Sequence, residues 1–446
     1  MYLAFLILLN KLITKFLKLI GKNGSVYPGM IIYDYFDSKI LNKIKYPQYV
    51  IAVSGSSGKG STTDLIAQIL RANNYRVVYN QSGSNALLGA LTLILNNCNL
   101  KGIFQGDVLL LETDERHLKL IFPEAYPTHL VLTNITRDQL ARNGNPELVF
   151  KEIKQAIYPT TKLIINADDP LINTLAGKAN VTTFGIAKTK DSYAKPTLDA
   201  VDFAYCPICQ TKLKYDYYHY GHIGNYHCPK CAYKRNPVTY EATKIDLVKQ
   251  QLTVDHQQLK LNKDAFYVAY ATLAAYALTK ELGVPEALIV KTINNPQQEA
   301  KRGKQLTYKD RDFIMLESKN ENNLSYYQSL KYISNYPQHK SVIVGFENVS
   351  RRYCFNDLSW LYDVDFELLA DPLIDKIFCI GRFRYDVATR LTYAGIDAKK
   401  LILVPDIKDL LPLVATASNG PIFSIVCFDM TAIIKKMLME AENETN

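Results

Sequence analysis

The stretch Ile51 to Leu70, IAVSGSSGKGSTTDLIAQIL, constrains this chain more than any other. A short β-branched run (Tyr49, Val50, Ile51, Val53) feeds the loop Gly55-Ser56-Ser57-Gly58-Lys59-Gly60-Ser61. Leu65, Ile66, Ile69 and Leu70 then follow at helical spacing. Strand, glycine-rich loop and helix form the arrangement in which a backbone cradles phosphates. Glycines let N–H groups approach the anion, and the helix N-terminus adds partial positive charge. Lys59 would meet the terminal phosphates, and the hydroxyl of Ser61 or Thr62 would help hold Mg²⁺. The spacing is not that of the G-x-x-x-x-G-K-[ST] motif, because two residues separate Gly55 from Gly58 and Gly60 precedes Ser61. An ordinary Gly/Ser turn is the bland alternative; the flanking strand and helix favour phosphate.

A length of 446 residues predicts about three domains. A charged fraction of 21% beside 48% hydrophobic residues is that of a globular chain and argues against a disordered one. The net charge of +9 is dispersed, which suits phosphates or an anionic membrane face and argues weakly for nucleic acid. Near the start, Leu9, Leu12, Ile13, Phe16, Leu17 and Ile20 predict a helix whose apolar stripe packs on the body, with lysines opposite. Peripheral attachment to an anionic leaflet is the sharper alternative. The uninterrupted apolar run is too short to span a bilayer, which needs about 20 residues. The charges also follow that run, which is not the order of a signal peptide. Cysteine usage without a secretion signal points to a reducing cytoplasm.

From Tyr49 to Ile186, short β-rich runs alternate with helical patterns: Val77–Tyr79, Val108–Glu112, Leu130–Leu132 and Leu163–Ile165. This is the βαβ rhythm of a parallel sheet, an α/β fold in which ligands bind beyond the carboxyl ends of the strands. Glu112, Asp114, Glu115, Asn134, Asn166, Asp168 and Asp169 fall at such ends. Asn166 and Asp169 could meet nucleotide or equally build an Asx turn. A second α/β region begins near Arg302, with strands expected at 313–316, 341–344, 376–380, 401–404 and 422–426.

Between the two regions the rhythm breaks. Cys206-Pro-Ile-Cys209 and Cys228-Pro-Lys-Cys231 are two C-x-x-C knuckles with 18 residues between them. Four thiolates at this spacing close a tetrahedral Zn²⁺ site. With all four positions filled by sulfur, the role is structural, in a zinc ribbon.

At this point the chain resembles a known family. The phosphate loop is similar to that of Mur ligases and folylpolyglutamate synthetases. The resemblance narrows to the MurT family, the ligase subunits of lipid II isoglutaminyl synthase. It rests on Gly24–Gly29, Gly83-Ser-Asn85, Leu111-Glu-Thr-Asp-Glu115, Thr133-Asn-Ile-Thr-Arg-Asp-Gln-Leu140 and Asn166-Ala-Asp-Asp-Pro170. The inserted ribbon, Asp357-Leu-Ser-Trp-Leu-Tyr-Asp-Val-Asp-Phe-Glu367 and Arg390-Leu-Thr-Tyr-Ala-Gly395 complete the order. The expected division is an N-terminal helical segment and lead-in (1–46), a Mur ligase central ATP-binding domain (47–300, ribbon about 204–236) and a C-terminal α/β domain (301–446).

The resemblance implies ATP-dependent amidation of the α-carboxylate of D-glutamate in lipid II, through an acyl phosphate, at the inner face of the membrane. It implies ATP and Mg²⁺ as cofactors beside structural Zn²⁺. The implied nucleotide and Mg²⁺ residues are Gly55, Ser56, Ser57, Gly58, Lys59, Gly60, Ser61, Thr62, Glu112, Asn134, Asn166 and Asp169. Ammonia would come from a separate GatD-type glutaminase subunit, since this chain has no glutaminase signature of its own. Asp357 matches the residue that in the family completes the partner's Cys-His pair; an N-cap is its structural alternative. Departures stand at Gly60-Ser61, Ala141, Asn143, 301–304, 321–323 and 351–356, while Lys319-Asn320 keep the family's pair. The alternatives are a Mur or folylpolyglutamate-type ligase acting on another carboxylate, and a non-enzymatic zinc-ribbon protein. Amino-acid-adding relatives usually carry His where Gln139 stands.

Overall fold

The structure is a computed structural model that describes all residues except 81–83, 124–125, 139–142, 144, 178–179, 197–200, 264, 296–305, 318–321, 349–356 and 446. Gly83, Gln139, Leu140, Ala141, the matching pair Lys319-Asn320 and the departures at 301–304, 321 and 351–356 therefore lie outside the described residues. Two compact units emerge. One comprises Met1–Thr136, Asn145–Thr197 and Val201–Gln298; the other comprises Arg137–Gly144, Leu198–Ala200 and Glu299–Asn446.

The first unit holds β1 (Tyr49–Ser54), β2 (Val77–Tyr79), β3 (Val108–Glu112), β4 (His129–Leu132), β5 (Lys162–Asn166) and β6 (Val181–Ile186). After them come the hairpin β7 (Lys214–Tyr220) and β8 (Ile223–His227), then β9 (Tyr240–Asp246), β10 (Gln251–Val254) and β11 (Gln257–Lys260). Nine of these strands form one sheet in the order β11-β10-β9-β6-β5-β4-β1-β3-β2. It is parallel from β2 to β9, and β10 and β11 join antiparallel. The central strands are apolar on both faces, as a sheet covered by helices on each side requires. Val50, Ala52, Leu109, Leu111, Leu130 and Leu132 share a core with the helices Leu87–Asn96 and Pro146–Gln155. The alternate residues Ile51, Val53, Leu110 and Val131 are buried on the opposite side. Helices Lys59–Ala72 and Phe266–Glu281 pack against each other and against these strands.

The N-terminal helix forms over Tyr2–Leu19, but it buries the expected stripe only in part, with Leu9, Ile13 and Leu17 half-buried. Its inner face is Leu6, Ile7, Asn10 and Thr14, while Leu12, Phe16 and Ile20 are exposed. Polar pairing decides the roll: Asn10 Nδ2 donates to the Thr92 carbonyl (3.2 Å) and to Asn96 Oδ1 (3.0 Å), and Asn96 Nδ2 donates to Thr14 Oγ1 (3.1 Å). Turning the helix to hide the leucines would leave these groups buried and unpaired.

The second unit is a six-stranded sheet of β12 (Leu306–Tyr308), β13 (Arg311–Glu317), β14 (Lys340–Gly345), β15 (Ile374–Ile380), β16 (Leu401–Leu403) and β17 (Ile422–Val426). The order is β12-β13-β17-β14-β15-β16, parallel except for the edge strand β12. The two late motifs of the sequence meet here. Arg390, on the helix Arg384–Tyr393, donates to the carbonyls of Leu361 (2.9 Å) and Val364 (2.8 Å) and to both Glu367 carboxylate oxygens (2.9 Å each). It thereby clamps the 3₁₀ turn Ser359–Asp363, whose Trp360 packs between Tyr326 and Phe346. Burial pulls the Glu367 carboxyl upward, and Arg390 more than offsets this, leaving it below its ordinary value.

Arg390→Ala should destabilise this unit by about 2–4 kcal/mol, because buried carbonyls lose a charged donor. Trp360 is the only tryptophan, so its fluorescence reports this unit alone during urea unfolding. An unshifted midpoint would show that the clamp carries no stability. Arg390→Lys should recover only part of the loss, since one ammonium cannot span the same acceptors.

Candidate active site

The phosphate loop lies between β1 and the helix Lys59–Ala72, pressed against the end of β4. Gly55 has φ +129°, and a Cβ there would collide with the Thr133 hydroxyl and the Asn134 backbone, so only glycine fits. Gly58, at φ +81°, turns the chain into the helix. Asn134 is the loop's wall: its Oδ1 accepts from Ser57 N (3.1 Å) and Oγ (3.0 Å), and its Nδ2 donates to the Ser57 carbonyl (3.1 Å). Ser56 N donates to the Asn134 carbonyl (2.8 Å), and Thr133 Oγ1 donates to Ser57 O (2.7 Å). These bonds leave the loop little freedom before any ligand arrives.

Lys59 is buried, with Nζ bonded to the Gly55 carbonyl and to Glu115 Oε1 at 2.6 Å. The sequence placed Glu115 at a strand end without a task. It is the counter-charge of the loop lysine, and an incoming phosphate must compete with it. Glu112, at the end of β3, stands beside the loop: a Cβ on Gly60 would lie 3.3 Å from Glu112 Oε2. Asn80 fixes the Glu112 backbone through two 2.8 Å bonds. Glu112 thus brings a carboxylate to the first turn of the helix at Gly60, a hard oxygen donor of the kind a divalent cation takes.

Asn166 and Asp169 are fully buried and already bonded within the protein. Asn166 Nδ2 donates to the Thr133 carbonyl (2.9 Å), and its Oδ1 accepts from Asp168 N (3.0 Å). Asp169 accepts from the backbone N–H of Ile135 (2.7 Å), Leu171 (2.8 Å) and Ile172 (3.1 Å). Of the two roles the sequence left open, the geometry gives the Asx turn. These residues hold the 133–136 segment against the phosphate loop, fully buried.

The inserted ribbon is wired into this turn. Asp168 accepts from Arg235 Nε (2.5 Å), Tyr270 Oη (2.5 Å) and Ile186 N (2.7 Å). Tyr226 Oη donates to the Ala167 carbonyl (3.0 Å), Gly224 N to the Asp168 carbonyl (3.0 Å), and Tyr233 Oη to the Pro170 carbonyl. Burial alone would depress the Arg235 guanidinium, but Asp168 beside it holds it above its ordinary value. Burial likewise pushes the Tyr226 and Tyr270 phenols up, so both stay protonated as donors. The same cause lowers His219 and keeps it neutral.

At the ribbon's far end, the sulfurs of Cys206, Cys209, Cys228 and Cys231 all lie within 4.8 Å of one another. Cys206–Cys231 and Cys209–Cys228 are 3.7 and 3.4 Å apart. Tetrahedral Zn–S bonds of about 2.3 Å put sulfurs about 3.8 Å apart, so the donor set fits zinc. Backbone N–H groups of Ile208, Lys230 and Cys231 point at the sulfurs (3.4 Å each), as thiolates require.

In the second unit, Asp357 Oδ1 accepts from Ser359 N at 2.9 Å, at the head of the turn that Arg390 clamps. It is half-buried. The N-cap-like bond therefore orients the carboxylate without sequestering it.

Comparison with known proteins gives this arrangement a family. A model of the Mur ligase middle domain matches residues 53–224, and one of the MurT ligase C-terminal domain matches residues 320–429. Lipid II isoglutaminyl synthase (glutamine-hydrolyzing) subunit MurT of Staphylococcus aureus (strain COL) is 28% identical over 88% of both chains. Its Streptococcus pneumoniae counterpart is 29% identical over 87% of this chain and 86% of its own. The chain belongs to the MurT family. Solved structures agree on the fold: a pseudomurein peptide ligase type C from Methanothermus fervidus superposes with a TM-score of 0.65 at 21% identity, over 90% of this chain and 80% of that one. MurF ligase from Thermotoga maritima gives 0.57 at 17% identity, over 91% and 84%.

In this MurT chain the Thr62 hydroxyl donates to the Gly58 carbonyl (2.9 Å). Ser61 is half-buried where Thr62 is fully buried, which makes Ser61 the more accessible hydroxyl for Mg²⁺. Lys59→Met should lower ATP turnover by about 10²–10³, the usual cost of removing one preorganised charge from a transferring phosphoryl group; phosphate release measures it. Cys228→Ser should lose zinc and, through Asp168 and Asp169, weaken Mg-ATP binding as well. Arg235→Ala should keep zinc stoichiometric yet raise the Mg-ATP Kd by about tenfold. Calorimetry beside metal analysis separates the two, and unchanged Kd in both variants would break the link between ribbon and loop.

Proposed function

We propose that this chain is the ATP-consuming subunit of a lipid II isoglutaminyl synthase, converting the α-carboxylate of D-glutamate in the stem peptide to a carboxamide. The observation that carries the reading is the match to MurT relatives over 87–88% of the chain, with a glycine-rich loop and its lysine held between β1 and the following helix. A carboxylate oxygen of the acceptor attacks the γ-phosphorus of ATP, ADP departs, and an acyl phosphate remains. Ammonia attacks the acyl carbon, phosphate leaves with the former carboxylate oxygen, and the nitrogen loses a proton. The loop backbone and Lys59 draw charge from the transferring phosphoryl group. Ser61 and Glu112 would hold Mg²⁺, which neutralises phosphate oxygens when bound. Gly55 and Asn134 keep the loop shaped, and Asn166 and Asp169 hold its wall.

Ammonia reaches this site from a GatD-type glutaminase subunit with a Cys-His pair. Asp357 would orient that imidazole, as the third member of a triad does. Its fixed, partly exposed carboxylate is the supporting geometry. The compartment is the cytoplasmic face, where a nucleotide and a lipid-borne acceptor meet.

The test is mass spectrometry of lipid II incubated with Mg-ATP, glutamine and the glutaminase subunit, reading replacement of OH by NH₂. Asp357→Asn should lose glutamine-driven amidation by about 10²–10⁴ and keep ammonium-driven amidation. Lys59→Met should lose both. Incorporation of a whole amino acid in place of NH₂ would reassign the chain to a peptide-ligase activity.

A further inference from the structure

The helix Tyr2–Leu19 turns hydrocarbon toward solvent. Phe5, Leu8, Leu12, Phe16 and Leu19 recur at three- and four-residue steps, and they are between 46% and 77% exposed. They form one row on the side away from Leu6, Asn10 and Thr14. The row continues at one end: the Phe5 and Phe36 rings meet edge-on at 6.1 Å, and Tyr2 Oη donates to the Phe36 carbonyl (3.1 Å). The helix cannot roll to hide this face, because Asn10 and Thr14 are pinned to Thr92 and Asn96.

Charge decides what covers it. Lys11, Lys15 and Lys18 follow at four- and three-residue steps along one flank of the apolar row, and Lys22 comes next. Lys11 is engaged with the Cys98 carbonyl (2.6 Å), while Lys15, Lys18 and Lys22 are exposed. The first acidic residue of the chain is Asp34. A second copy docking on this face would bring the same lysine row and no acid from this segment to answer it. An anionic lipid surface answers both features, with acyl chains for the apolar row and headgroup phosphates for the lysines.

We propose that this helix lies flat on an anionic membrane, its Phe5–Leu19 row sunk to the acyl boundary and its lysines among the headgroups. Among the described residues no helix is long and apolar enough to cross a membrane, so the attachment is peripheral. The inference goes beyond the proposed function, for which it supplies a location: it brings the ATP site to the surface that carries the acceptor. Vesicle binding needs no turnover, so the two readings fail separately.

The experiment is co-sedimentation of the purified full chain with phosphatidylcholine vesicles, with and without phosphatidylglycerol, at low and high salt. Binding should require phosphatidylglycerol and weaken with salt. The variant Leu12→Glu/Phe16→Glu, at two exposed positions, should stay in the supernatant with an unchanged circular dichroism spectrum. Lys15→Glu/Lys18→Glu should weaken binding by more than about tenfold. Equal binding of uncharged vesicles, no binding of anionic ones, or no effect of Leu12→Glu/Phe16→Glu overturns the proposal. So does a change from dimer to monomer in that variant without vesicle binding, which assigns the face to a second copy.

Discussion

The first unit depends on one buried carboxylate. Asp168 is fully buried and takes hydrogen bonds from Arg235 of the inserted ribbon, Tyr270 of the long helix and the backbone N–H of Ile186 at the end of β6. An unpaired charge there would be prohibitively costly, so the three donors and the carboxylate come together or not at all. Its neighbour Asp169 repeats the logic with three backbone donors, one of them Ile135 in the segment that walls the phosphate loop. The ribbon, the carboxyl end of β6 and the loop after β1 are thereby one polar structure, and the ribbon that carries the four-cysteine cluster becomes part of how the loop is held.

Much of this site is legible in the sequence because the chemistry restricts residue type. Gly55 and Gly58 are demanded by backbone geometry that other residues do not adopt, and two C-x-x-C knuckles have few uses besides a metal. What the sequence hides are partnerships between ordinary residues far apart. Nothing in Arg235 announces that it answers Asp168, and nothing in Glu115 announces that it neutralises Lys59. Asn166 and Asp169 were visible as strand-end polar residues, but only their hydrogen bonds show that they face inward to the backbone. Arg390 was visible as part of a motif; its task of clamping the turn below Asp357 appears only when the two motifs are seen to touch.

The N-terminal helix shows the same limit from the other side. Hydrophobic periodicity assumes that hydrocarbon seeks the protein interior, and on that assumption Leu12 and Phe16 belong inside. The interior offered at this place is polar, lined by Thr92 and the side chain of Asn96. Asn10 and Thr14 satisfy it, and the gain from burying a leucine is smaller than the loss of leaving those amides unpaired. A pattern that reads as an ordinary amphipathic helix buries a polar pair beside Leu6 and Ile7 and turns an apolar row to solvent.

The same economy of contacts governs the second unit. In the proposed function Asp357 is lent to another subunit, and such a carboxylate must be fixed without being consumed, because its target is absent until assembly. Asp357 meets this condition by spending one oxygen on Ser359 N while the turn beneath it is held by Arg390 and by the Trp360 ring. Rigidity is supplied from below, through carbonyls and an aromatic cluster, and the carboxylate stays partly exposed. In the first unit Lys59 solves the mirror problem: its charge must be kept buried and ready without its phosphate, and Glu115 holds it until a stronger anion competes. Both groups are preorganised by contacts that their proposed ligands supplement or displace, so the cost of ordering them falls on folding and not on each turnover.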